Sequence, residues 1–342
     1  MKNFFLFILV ILLPLLVSSE DSTKNEVIID GSIHPFNEIY SLIEQSDIVY
    51  VLGLLDSTSK IEIPEERLLS NLIYMKETDK KKTIHTYNIS DSVSYYLNIG
   101  DSAYVKNEFD KSVKSYRKVL EIDSSLNFIY TFIGNCFYTA NIMDSAIYYL
   151  NLSVNKNYYS YQAHWFLADA LWNINDTIGC LNHIATAHLL NYYHSEIRKS
   201  LKKYHLRSGK EWKEWSFDPI YSLSKEGNVV QIQFDTVQFE LMPYVMVKAL
   251  WKFEPGYAEK MIGITGSTSN FNNLEEKEAL LAYVSYLYLL EDTTSIPYKA
   301  INSDYYNEFI YYEIALKRFP EFFYFSSKQI FNRTKEYLNK YH

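Results

Sequence analysis

A chain of 342 residues with 33 basic and 41 acidic side chains carries a formal charge of −8, which weighs against a general phosphate-binding surface. Its 48% hydrophobic and 17% aromatic content excludes disorder as the general state. Its two cysteines exclude a disulfide framework, and its 10 glycines and 8 prolines exclude collagen-like or long proline-rich architecture.

Residues Met1–Ser19 place one lysine ahead of an unbroken apolar run, Phe4 to Val17, and end on small residues. This is the layout of a secretory leader, and the run is shorter than the roughly 20 apolar residues of a membrane span. Cleavage is expected near Ser19, giving a periplasmic or secreted chain with no membrane span after processing. Residues 20–89 are expected to form an N-terminal helical or mixed cap. Pro35 opens a short helix over Phe36–Ile43, Asp47–Leu55 is helix or strand, and Glu65–Met75 has a helical pattern through Leu68, Leu69, Leu72 and Ile73. Lys76–Lys82, KETDKKK, reads as a solvated bend.

Residues 93–194 show a different organisation. Gly100, Gly134 and Ala168 recur at intervals of 34, as do Ile99, Ile133 and Leu167 before them and Ser112, Ala146 and Cys180 in the second half of each unit. Asn107, Asn141 and Asn175 fall in the link between two helical patterns, where asparagine tolerates left-handed backbone and bonds locally. Three units result, 93–126, 127–160 and 161–194, each a helix pair, with a closing helix over 195–205. Ser90 or Ser92 suits the first N-cap. A lone pair cannot bury its apolar face, so the pairs must stack.

Over these 102 or so residues the sequence resembles the tetratricopeptide repeat family. The resemblance implies a mainly α fold, an αα-hairpin repeat superhelix with flanking helical modules. It also implies a concave wall built from the first helix of each pair. The residues placed there include Asp101, Tyr104, Phe128, Asn135, Tyr138, Trp165, Asp169 and Trp172. Among them Tyr104, Tyr138 and Trp172 form an aromatic column, and Asp101, Asn135 and Asp169 a short polar one. Such a wall suits an extended peptide or a helix, and its carboxylates favour a neutral or basic one. Family members that bind chaperone tails carry lysine at the fifth position of the unit. Here that position holds Leu97, Thr131 and Trp165, so a two-carboxylate clamp is not expected. The opposing reading is that the aromatics are buried against a flanking module.

Residues 206–342 form the expected C-terminal module, mostly helical with a short β element. Val230, Ile232 and Phe234 alternate with polar residues after a Glu226–Gly227 turn. Helices are expected over Leu241–Lys252, Leu274–Leu290, Ser303 to about Lys317, and Ser326–Leu338, with a loop over Met261–Asn273. Asn273 and Glu276 read as a cap and its reciprocal partner, and Glu275, Glu276 and Glu278 as an acidic first turn. Trp212, Trp215 and Phe217 read as an aromatic cluster.

No phosphate loop, serine elbow, HExxH or CxxC occurs, and His183 and His188 are spaced five apart, which does not suit a metal pair on one helix face. Cys136 and Cys180 read as buried free thiols. No catalytic residue, metal site or cofactor is assigned. The sequence therefore points to an exported, non-catalytic repeat protein that binds a protein or peptide, not nucleic acid. The alternatives are a purely structural envelope scaffold, or an exported hydrolase with its site in residues 206–342.

Overall fold

Pro35 opens the first helix of the computed structural model, α1 (Phe36–Gln45). The structure describes residues 33–55, 72–78, 81–213, 217–262, 273–292 and 294–342. The leader-like segment Met1–Ser19 lies outside them, as do most of the expected helix over Glu65–Met75 and Trp215. Strand β1 (Val49–Leu54) follows α1, then β2 (Ile73–Thr78) and β3 (Lys81–Thr86). The repeat region supplies α2 (Asp91–Val105), α3 (Phe109–Ile122), α4 (Ile129–Thr139), α5 (Met143–Lys156), α6 (Tyr161–Asn173), α7 (Thr177–Leu190) and α8 (Ser195–Arg207). After it come β4 (Tyr221–Glu226), β5 (Val229–Phe234), α9 (Met242–Phe253), α10 (Tyr257–Ile262), α11 (Asn273–Leu289), α12 (Ile296–Ile301), α13 (Tyr306–Ile310) and, after further short turns, α14 (Lys328–Tyr341).

The 34-residue register is a register of backbone geometry. Asn107, Asn141 and Asn175 have φ of 61°, 60° and 63°, so one left-handed asparagine reverses the chain between the helices of every pair. Oxygens cap several starts: Ser90 accepts from the Val93 amide, Ser160 from Ala163 and Asp176 from Gly179. Small residues then set the distance between paired helices. A methyl group at Gly100 would lie 2.5 Å from the Tyr116 ring, and one at Gly134 would lie 2.6 Å from Leu150 Cγ. Ser112 Oγ donates to the Gly100 carbonyl at 2.8 Å, so the second helix is hydrogen-bonded to the first where the two come closest. Val93, Val113, Tyr116, Val119, Ile129, Ile133 and Cys136 form one buried cluster through the first two units. Cys136 and Cys180 are free and buried, and burial pushes both thiols up, that of Cys180 to about 12.

Helices α2–α8 belong to one compact unit, formed within Glu65–Glu214 and Ala315–His342. The last helix was expected in the C-terminal module, but it belongs with the repeats. Phe331 packs edge-on to Tyr158 at 5.5 Å, Lys335 Nζ donates to Asn182 Oδ1 at 2.8 Å, and Tyr324 Oη donates to the Leu190 carbonyl at 3.0 Å. The other corrected expectation in this unit is the hairpin. Ile73, Tyr74 and Met75 are strand residues, and Lys76–Thr78 with Lys81 and Lys82 extend the two strands that a solvated bend was expected to replace. Pairs of β-branched and aromatic residues explain this: Tyr74 faces His85 in the antiparallel register with rings 5.5 Å apart, and Ile73 faces Thr86.

The second unit lies within Met1–Pro64 and Trp215–Ile314. Its sheet has the order β1-β5-β4, with β1 parallel to β5 and β4 antiparallel to it. The alternation of Val230, Ile232 and Phe234 gives the expected buried face, and Gly227, at φ +58°, makes the β4–β5 turn. Pro243 sits in the first turn of α9, where its missing N–H costs nothing.

The acidic start of α11 departs from expectation. Glu276 and Glu278 are buried, not solvated. Lys248 Nζ lies 2.5 Å from Glu276 and 2.7 Å from Glu275, and Tyr244 Oη donates to Glu276. Glu278 accepts from Trp251 Nε1 at 2.6 Å and Tyr257 Oη at 2.8 Å, and lies 2.5 Å from His34 Nδ1. A buried carboxylate requires such partners, and they come from three separate stretches of chain. The expected Trp212–Phe217 cluster also divides. Trp212 packs on His205 in the repeat-bearing unit, and Phe217 packs on Tyr244 and Tyr283 in this one.

Candidate functional site

The wall expected along the first helices exists for part of its length. Tyr104, Tyr138 and Trp172 are all half-buried, so each has ring surface in solvent and ring surface in the stack. Each is tied to the following unit. Asn135 Nδ2 donates to Tyr104 Oη at 2.9 Å, and Thr139 Oγ1 lies 3.0 Å from the same oxygen. Asn173 Nδ2 is 3.3 Å from Tyr138 Oη. Trp172 has no hydroxyl and packs on the Tyr204 ring at 4.9 Å, so the closing helix α8 continues the series. These bonds recur because the residues share a position, and the next unit supplies an amide or hydroxyl 31 or 35 residues later.

The polar column is engaged as well, Asp101 within its own unit and Asp169 with the closing helix. Asp101 accepts from Tyr116 Oη at 2.6 Å. Asp169 accepts from Tyr204 Oη, and Lys203 sits over the Tyr204 ring at 4.2 Å. Burial raises the Asp169 carboxyl above its ordinary range, against the lowering effect of the Tyr204 bond and the Lys203 charge. Burial and the Asp101 carboxylate push the Tyr116 hydroxyl far up, and burial with Asp169 does the same to Tyr204, so both phenols stay protonated donors.

Two sequence-predicted residues need comment. Phe128 does not line the wall: it is buried between Tyr87 of the chain entering the repeats, at 5.2 Å, and Phe132, at 5.4 Å. Tyr87, in the segment between β3 and α2 that the repeat pattern does not reach, supplies this cover from outside the repeats. Trp165 is half-buried against Phe166 and His194, and its indole N–H has no hydrogen-bond partner among the described residues. Thr131, at the equivalent position one unit earlier, is buried and bonded to Ser153 at 2.7 Å.

Sequence reasoning missed the histidine pair behind the wall. His164 Nε2 faces the Tyr158 carbonyl at 2.9 Å and therefore carries a proton; its Nδ1 then accepts from His183 Nδ1 at 2.8 Å. Burial, with the nearby His183 and Lys335, lowers His164, and burial with Lys335 lowers His183 to about 4. Among the described residues no three His, Cys, Asp or Glu side chains are placed to hold a metal, and no helix is long and apolar enough to cross a membrane.

Helix pairs with a 34-residue register, a small residue at each closest approach, a left-handed link in each pair and an inner aromatic column define a tetratricopeptide-like repeat fold. No family model matches the chain, and no curated protein matches it. Solved structures are similar to part of the chain. The first TPR of Spaghetti (RPAP3), bound to an HSP90 peptide, is 15% identical with a TM-score of 0.33, covering 35% of this chain and 96% of that one. The Yersinia enterocolitica type III secretion chaperone SycD, in complex with a peptide of the translocator YopD, is 13% identical with a TM-score of 0.32 over 35% and 96%. The MamA protein is 16% identical with a TM-score of 0.32 over 59% and 94%.

Proposed function

We propose that this chain is a non-catalytic repeat protein that binds a protein or peptide along the wall of Tyr104, Tyr138 and Trp172. The observation that carries the reading is that these three rings share one position, keep part of their surface in solvent, and are each fastened to the next unit. Fastened rings lose little entropy on contact with a ligand, which is what a binding hot spot needs. The exposed Asp101 beside the rings favours a neutral or basic ligand over an acidic tail. The leader-like Met1–Ser19 supports an exported chain of the periplasm or secreted fraction.

The buried position of Phe128 favours a second reading, a stack filled by its own flanks and serving as a scaffold. Trp172→Ala separates the two, read against fluorescein-labelled basic, neutral and acidic peptides. Under the binding reading, affinity for the basic or neutral peptides falls by about 2 kcal/mol, roughly thirtyfold, with melting little changed. If no peptide binds the unaltered protein and Trp172→Ala costs about 3–5 kcal/mol of stability, the scaffold reading stands.

A further inference from the structure

The open end of the stack is a second surface. In the second and third units one stripe of the leading helix is wholly buried by the second helix of the unit before it: Ile129, Ile133 and Cys136 in α4, and Ala163, Leu167 and Ala170 in α6, all at 0% exposure. The same positions in α2 are Tyr95, Ile99 and Ser102. Tyr95 is 62% exposed, Ser102 is exposed and Ile99 is only half-buried. The surface that joins every other pair in the stack thus has no helix of its own compact unit over it among the described residues. Two shallow depressions lie on it, with Ile99 in both.

Its rim is basic. Lys106, Lys111, Lys114 and Lys118 border the depressions. Lys111 is paired with Glu108 at 3.0 Å and Lys118 with Glu121 at 2.6 Å, whereas Lys106 and Lys114 form no ion pair among the described residues. A second copy docking face to face would set this rim against itself, which like charges oppose.

We propose that this end face docks an amphipathic helix from a different protein, lying as α3 lies on α4, with a small and aliphatic stripe toward Tyr95 and Ile99 and acidic residues along its flanks. The stripe follows from what α3 presents to α4, where Ser112 meets Cys136 and Tyr116 meets Phe132, with Val119 in the same buried cluster. The acidic flanks follow from Lys106 and Lys114. This site is separate from the aromatic wall and can accommodate a partner while the wall is occupied.

The test uses the full chain and two fluorescein-labelled helical peptides of about 18 residues, long enough for five turns. Both carry an Ala/Leu stripe, one flanked by Glu and one by Lys. The Glu-flanked peptide should bind, more weakly at raised salt, and the Lys-flanked one at least about tenfold more weakly. Ile99→Arg should weaken the Glu-flanked peptide at least about tenfold with melting unchanged, and Lys114→Glu should weaken it while improving the Lys-flanked one. Trp172→Ala should leave this binding intact, so failure here and failure of the wall are read separately. The proposal is overturned if the Glu-flanked peptide does not bind at about 1 mM. It is also overturned if both peptides bind equally, or if Ile99→Arg has no effect. Sedimentation showing a dimer that Ile99→Arg dissolves would assign the face to a second copy instead.

Discussion

Replacing Gly134 tests whether its missing side chain sets the spacing of α4 and α5. A β-carbon there would lie 2.6 Å from Leu150 Cγ, 2.9 Å from Cδ2 and 3.2 Å from the Leu150 backbone nitrogen. The leucine side chain can rotate away, but the backbone nitrogen moves only if the helices separate. Alanine in a helix interior ordinarily gains about 1 kcal/mol over glycine, and overpacking costs about 1–3 kcal/mol. Gly134→Ala should therefore lose about 1 kcal/mol net, and Gly134→Leu about 2–4 kcal/mol. Native Ala168 shows that the third unit accepts a methyl group at this position, so the cost belongs to Leu150 and not to the repeat position itself. Leu150→Ala alone should cost about 2–5 kcal/mol through its cavity. In the double variant Gly134→Leu/Leu150→Ala the new side chain occupies part of that cavity, so the loss should fall short of the sum by about 0.5–3 kcal/mol. Urea unfolding followed by circular dichroism reads all four proteins, with midpoints moving at constant slope. A gain in stability for Gly134→Ala, or strict additivity in the double variant, would refute the close-approach argument.

Two further outcomes follow from the backbone and from the buried imidazoles. Asn141→Ala places an ordinary residue at φ 60° and should cost about 1–2 kcal/mol, whereas Asn141→Gly should be close to neutral; paired thermal melts decide this. The folded state holds His183 neutral down to about 4 against an ordinary 6.5, so the unfolded chain binds more protons in between. Stability should be unaffected above that ordinary value and decline as pH falls through it, by at most about 1.4 kcal/mol per pH unit for this group. His183→Gln should flatten that decline in pH-dependent melting, and an unchanged slope would contradict the buried-neutral assignment.

The repeat was legible because its signals are local and recur: a small residue, an asparagine and an apolar ring return at one interval, so a single unit is checked by the next two. The wall was legible to the same extent, and failed at Phe128, where Tyr87 covers the ring from outside the period. The hairpin itself was hidden because the helical spacing read over Glu65–Met75 runs on into Leu72 and Ile73, while strand pairing depends on partners that no single segment contains. Glu276 and Glu278 illustrate the same limit. An acidic first turn is ordinarily solvated, and only the arrival of Lys248, Trp251, Tyr257 and His34 turns these two into buried acceptors. The open stripe of α2 lies between these extremes, since exposed Tyr95 becomes visible only by comparison with its buried counterparts.

The parallel pairing of β1 with β5 joins residues some 180 positions apart, and it bears on how the molecule is made and divided. Each compact unit is sewn from two stretches, and the longer stretch of one interrupts the other. During synthesis the helix pairs can close on their own, from contacts within a few dozen residues. Strand β1 leaves the ribosome long before the partner that satisfies its backbone, and its edge must be shielded in the interval. The same threading defeats a single scissile cut. Separating the sheet-bearing unit means excising the repeats and rejoining the flanks, and the repeats, freed in that way, still lack the α14 that packs on α7.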